Sequence, residues 1–122
     1  MDRVFFILGA VSAALGVAAG AFGAHALRGR LTPDLLNVFE TGVRYHLIHA
    51  LGLFSVAWAA TRWQGHALSA AGWLFLLGTV LFSGSLYALS VSGVRALGVI
   101  TPLGGIAFIA GWITLAWAVW QG

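Results

Sequence analysis

Four apolar stretches follow one another with only short polar breaks between them, and each is close to the roughly 20 residues a helix needs to cross about 30 Å of hydrocarbon. They fall at Val4–Ala26, Val43–Ala60, Leu68–Val91 and Leu97–Trp120. Backbone polar groups in lipid must be satisfied within the spanning segment itself, so this pattern constrains the chain to a helical membrane protein. Composition agrees: 61% of the 122 residues are apolar and 7% charged, more apolar surface than a water-soluble domain of this size can hide. The breaks are too short to hold a second domain, so residues 1–122 read as one transmembrane unit.

The expected fold is all-α, a bundle of four antiparallel transmembrane helices over about 4–26, 33–61, 68–91 and 97–120. In the second, Thr32-Pro33-Asp34 reads as a helix start: Thr caps, Pro is tolerated at the first position, and Asp complements the positive helix end. That helix would run about 43 Å at 1.5 Å per residue, longer than the hydrocarbon requires. Its spanning part is therefore set at 43–60, preceded by an interfacial segment that mixes Leu35, Leu36, Val38 and Phe39 with Asn37, Glu40, Thr41 and Arg44. Arg3, an apolar run and Ala24-His25-Ala26 also fit a cleavable signal peptide, but the run exceeds the usual 7–15 residues and is read as a retained helix.

Alternating crossings put the chain start, the second break and the chain end on one membrane face. Trp58, Trp63, Trp73, Trp117 and Trp120 all fall toward it, as an aromatic belt requires. The arginines give no firm orientation: Arg3 and Arg62 lie on that face, Arg28, Arg30 and Arg95 on the other. The formal charge of +3 comes from a shortage of acids, with no basic run, so nucleic acid is not an expected partner. Cysteine is absent, which removes disulfides and thiolate chemistry.

In lipid, helices associate through close approach at small residues and through interhelical hydrogen bonds. Gly9, Ala13, Gly16, Gly20 and Gly23 in the first helix, and Gly104, Ala107, Gly111, Thr114 and Ala118 in the fourth, recur at steps of three and four and read as packing seams. Gly72, Thr79, Ser83, Tyr87 and Ser90 lie near one line of the third, where hydroxyls bond to a neighbour or to their own backbone.

Ionisable groups inside a bilayer are costly, and here they gather toward the face opposite the tryptophans. His25 ends the first helix; Glu40, Thr41, Arg44, Tyr45, His46 and His49 open the second; Tyr87 lies late in the third; and Thr101 opens the fourth. Glu40 and Arg44 have the i,i+4 spacing that favours an ion pair, read first as fixing how the second helix enters the bundle. His46 and His49 are one turn apart, but two histidines without a third ligand or an H-E-x-x-H pattern do not make a zinc site, and no metal or cofactor is expected. They read first as neutral histidines hydrogen-bonded within the bundle, with a proton-responsive role second. Thr101-Pro102 with Gly104-Gly105 fits an early helical proline, and also the interrupted helix of a transporter site. No nucleophile elbow, phosphate-cradling loop or paired catalytic acids occur, so an enzyme is not expected.

Four motifs, Gly20-Ala-Phe-Gly-Ala-His-Ala-Leu27, Phe39-Glu-Thr-Gly-Val-Arg-Tyr-His-Leu-Ile-His49, Leu81-Phe-Ser-Gly-Ser-Leu-Tyr87 and Ile100-Thr-Pro-Leu-Gly-Gly105, with Gly111-Trp112 after them, give the chain a resemblance to a known family. It resembles family 423 of the domains of unknown function, which includes eukaryotic transmembrane protein 256. The resemblance implies a four-helix membrane protein of bacterial inner membranes and mitochondria-bearing cells, without an established activity. His25, Glu40, Thr41, Gly42, His49, Ser83 and Thr101 belong to the matching motifs. The expectation is therefore a multi-pass protein of the cell's inner (plasma) membrane, or of a mitochondrial membrane in a eukaryote. Its partners would be membrane lipids and either a second copy of itself or another membrane protein. A non-enzymatic accessory or membrane-stabilising role leads. The alternatives are a small proton- or ion-coupled transporter or lipid-binding protein using the Glu40/His cluster as an oligomer, then an enzyme acting on lipid head groups.

Overall fold

A computed structural model describes residues 2–122 as four helices, with no β-strand among the described residues. Helix α1 is Asp2–Leu27, α2 is Pro33–Ala60, α3 is His66–Ser92, and α4 is Thr101–Gln121, preceded by a 3-10 turn at Arg95–Val99. Three segments are long and apolar enough to cross a bilayer: α1, α3 and the stretch Arg95–Gln121. The second helix is not among them, because Arg44, Tyr45, His46 and His49 dilute its apolar run. It tolerates them because other helices cover it: Ala50, Leu53 and Val56 are fully buried. Lipid is left to face residues such as Leu15, Phe22, Ile109 and Ile113, all exposed.

Local chemistry sets the helix ends. The Thr32 hydroxyl accepts from the Leu35 amide at 3.2 Å, with Pro33 in the first turn. At the C-terminal end of α3, Gly93 adopts φ 74°, the left-handed conformation that stops a helix at little cost to glycine alone. The fourth helix starts later than the expected residue 97. Pro102 lacks the N–H that would reach back to Gly98, and its ring crowds that carbonyl, so the chain makes a 3-10 turn before restarting at Thr101. Single π turns interrupt α1 at Ala19–Gly23 and α3 at Thr79–Ser83, each re-phasing the helix face beyond it.

Aromatic rings lying over glycines of a neighbouring helix recur through the packing. Phe5 of α1 covers Gly72 of α3 so closely that no β-carbon would fit, and Phe39 of α2 lies against Gly23 of α1. The Phe75 ring sits between Gly52 of α2 and Gly111 of α4, where β-carbons would stand 3.2 and 2.7 Å from it. Phe108 of α4 covers Gly78, and Tyr87 of α3 covers Gly42. Along the α1–α2 seam, Gly9 meets Ala50 and Leu53, Gly16 meets Leu47, and Gly20 meets Val43. Phe5, Leu53, Val56, Ala57, Ala71 and Phe75 form the main core.

Gly104 differs from the others, since a β-carbon there would collide with the backbone of Phe82, which cannot swing aside as a side chain can. Its neighbour Gly105 has ordinary room, with Phe82 at 3.9 Å from a β-carbon. Gly104→Ala should therefore lower stability by about 1–3 kcal/mol, while Gly105→Ala leaves it unchanged or raises it. Melting temperatures of the two variants in detergent check this; equal effects would remove backbone contact at Gly104 as the determinant.

Candidate functional site

The polar residues on α2 are held by three different helices. His46 and His49, one turn apart and both buried, face opposite flanks of the bundle. On the α1–α3 flank, His46 Nδ1 lies 2.9 Å from the Tyr87 hydroxyl and its Nε2 lies 3.1 Å from Ser12 Oγ. On the α4 flank, the Trp112 indole N–H donates to His49 Nε2 at 3.0 Å, while His49 Nδ1 is 2.8 Å from the Tyr45 carbonyl.

The two rings differ chemically. An indole N–H only donates and a carbonyl only accepts, so His49 is fixed as the neutral tautomer with its proton on Nδ1. Its ring also stacks on Phe108 with centroids 3.5 Å apart and planes within 5°. Both partners of His46 are hydroxyls, each able to donate or accept, so either neutral tautomer satisfies that string. Neither ring has a nitrogen free for a metal ion, and the described residues contain no group of three or more His, Cys, Asp or Glu that could hold one.

Further hydroxyls tie the helices around this pair. Ser83, fully buried, donates to the Gly42 carbonyl at 2.7 Å, a contact reached because Gly42 lets α3 come close. Ser85 and Thr101 are 2.6 Å apart; with the Ser85 hydroxyl directed at the Phe82 carbonyl, 2.9 Å away, Thr101 is the donor between α4 and α3. Thr79 and Ser90 turn back on their own helix, bonding Phe75 and Tyr87 carbonyls. Among the described residues, no buried side-chain nitrogen or oxygen lacks a partner.

The sequence grouping is therefore only partly gathered in space. His46, His49, Tyr87 and the Tyr45 carbonyl belong to the centre, and Thr101 to a separate hydroxyl pair. His25 is exposed on the last turn of α1, and Thr41 bonds the Asn37 carbonyl on its own helix. Glu40 is half-buried, Arg44 is exposed, and they form no ion pair. Such a pair gains only about 0.3–0.5 kcal/mol, little against the entropy of fixing two long side chains. The described ion pair is instead Arg95 to Asp34 at 3.3 Å, both largely exposed.

Ser12, Ser85 and Trp112 were not visible as site residues. Ser12 lies three residues from Gly9 and four from Gly16, so its place on the small-residue seam was the available signal. Trp112 stood out only beside Gly111, with nothing to say that its N–H would point at His49.

Truncating His49 alone leaves the Trp112 N–H without a buried acceptor, at a cost of about 1–3 kcal/mol. The double variant His49→Leu with Trp112→Phe should thus be destabilised by less than the sum of the two single variants. A double-mutant cycle in detergent with no coupling would show that the indole bond does not anchor α4.

A family model described as a protein of unknown function, DUF423, matches residues 19–105. The UPF0382 membrane protein YwdK of Bacillus subtilis is 55% identical over 114 residues, covering 93% of each chain. A UPF0382 membrane protein of Staphylococcus haemolyticus is 45% identical over 113 residues, 93% of this chain and 92% of its own. One from Staphylococcus aureus is 40% identical over 119 residues, 98% of this chain and 97% of its own. No solved structure matches.

Proposed function

The chain belongs to the DUF423 family of membrane proteins of unknown function, and on that premise we propose that it is a non-enzymatic accessory component of the plasma membrane whose buried polar side chains assemble the bundle. The observation that carries this reading is the closure of the polar centre. Both nitrogens of each buried histidine are taken up by protein partners, and Ser83 and Thr101 bond across helices. Groups committed in this way hold helices together where a hydrophobic driving force is missing.

In this reading all four helices cross the membrane in alternating directions, and α2 is carried through by its neighbours despite its polar residues. Support comes from the α1–α2 seam, where Gly9, Gly16, Gly20 and Gly23 meet Ala50, Leu47, Val43 and Phe39 in descending order. The first turns of α2, from Pro33 to Glu40, lie at the interface, and Trp58 and Trp63, in edge contact at 5.7 Å, belong to the opposite belt.

A second reading, an ion- or proton-coupled carrier acting as an oligomer, is favoured by one observation: Glu40 is half-buried and has no ion-pair partner among the described residues. Reconstituted vesicles separate the two. The accessory role expects proton and ion flux no greater than in protein-free vesicles, with Glu40→Gln indistinguishable from the parent; flux lost in that variant would establish the carrier. The same role expects Gly16→Leu with Gly20→Leu to lower detergent stability more than His46→Phe, and the reverse ranking would refute it.

A further inference from the structure

Phe5 draws α1 and α3 together over Gly72 and against Trp73, but farther along the two helices leave a cavity of about 340 Å³ between them, floored by α2. That volume falls within the range of about 300–1,000 Å³ usual for small-molecule sites. Val11 and Leu15 line one wall, Leu76 and Val80 the other. Val11, Leu15 and Val80 are more than half exposed, so the mouth opens sideways, where lipid lies. On the floor is the string Ser12, His46, Tyr87.

The protons along that string do not all find acceptors within it. A neutral imidazole has one N–H and one bare nitrogen, so one hydroxyl donates to the ring and the other accepts from it. The accepting hydroxyl keeps its own proton free of the string. With the ring proton on Nδ1 this is the Tyr87 O–H; with the proton on Nε2 it is the Ser12 O–H. Both residues line the cavity, and neither hydroxyl has another hydrogen bond among the described residues. One donor therefore always remains beside an apolar cavity, where a hydrocarbon chain would leave it unmatched.

We infer that this lateral cleft binds a membrane-dissolved carbonyl compound of the quinone type, its ring between the Leu15 and Val80 walls and one carbonyl oxygen accepting from Tyr87 or Ser12. Depth separates this class from phospholipid. Ser12 lies about 15 Å along α1 from Asp2, in a helix about 39 Å long at 1.5 Å per residue, and so near mid-bilayer. Ester carbonyls stay at the interface, about 15 Å from the centre of a 30 Å hydrocarbon core. A quinone carries its acceptors on an apolar body that enters the core. Two hydroxyls answering to either tautomer let the carbonyl bond at either end of the string.

Gly84 supplies the decisive variant, because it lines the cleft and a β-carbon there meets nothing within 4 Å. Gly84→Leu puts an apolar side chain at the cleft from a position where its β-carbon has room. The experiment measures retention of a benzoquinone with a ten-carbon tail by the protein in nanodiscs, against empty nanodiscs and against decylbenzene, the same shape without oxygens. Saturable binding near one per chain is expected, with decylbenzene bound about three- to tenfold more weakly and Gly84→Leu lowering affinity at least about tenfold at an unchanged melting temperature. Ser12→Ala with Tyr87→Phe should weaken binding about three- to tenfold, the worth of one hydrogen bond. Should Gly84→Leu fail to fold, Val80→Trp, at the exposed mouth, is the substitute block. Retention at the empty-nanodisc level, equal binding of decylbenzene, or wild-type affinity in the blocked variant would each overturn the assignment. Ester-linked and ether-linked lipids should give the same affinity; binding confined to ether-linked nanodiscs would mean that a lipid ester carbonyl occupies the cleft, and would overturn it as well.

Discussion

The seating of an aromatic ring over a glycine of the next helix is the contact on which this bundle depends. Lipid tails solvate leucine as well as a helix neighbour does, so association must come from contacts lipid cannot reproduce. A flat ring against bare backbone is such a contact: it brings many atoms within van der Waals range at once. Phe5 on Gly72, Phe75 between Gly52 and Gly111, and Phe108 on Gly78 place this contact on all four helices. At Gly104 the backbone of Phe82 itself comes too close for a β-carbon.

Close approach then makes the polar centre possible. Ser83 reaches the Gly42 carbonyl because nothing stands on Gly42, and the Tyr87 ring, lying over the same glycine, brings its hydroxyl to His46. The Phe108 ring that covers Gly78 is also the one on which His49 stacks. Ring packing and hydrogen bonding are thus one arrangement, with α2 carrying the polar groups and its neighbours supplying their partners. The division of labour explains why the helix least suited to lipid is the best covered: its histidines are solvated by protein.

The two histidines, alike in sequence as members of one i,i+3 pair, are unlike in chemistry. His49 is held by a pure donor and a pure acceptor beneath a stacked ring, and its protonation pattern is fixed. His46 sits between two hydroxyls that can exchange roles, beside a cavity open to lipid. A structural anchor and an adaptable wall occupy successive turns of one helix because α4 covers one flank of α2 and leaves the other to α1 and α3.

By itself the sequence determined the membrane class, the four helices and most of their ends, including the Thr32 cap and the role of Pro102. These are local matters: apolar length, a missing N–H and a capping hydroxyl act within a few residues. The seam glycines were legible as well, though not what lies upon them. Which polar residues meet was decided only by the tertiary structure. The partners His46 and Ser12, His46 and Tyr87, and His49 and Trp112 lie 34, 41 and 63 residues apart. Grouping by membrane depth placed His25, Glu40 and Arg44 with the histidines, yet depth leaves free the direction a side chain takes around its helix. That direction is fixed by which helix packs where, an outcome of ring and glycine complementarity across the whole bundle that no local pattern encodes.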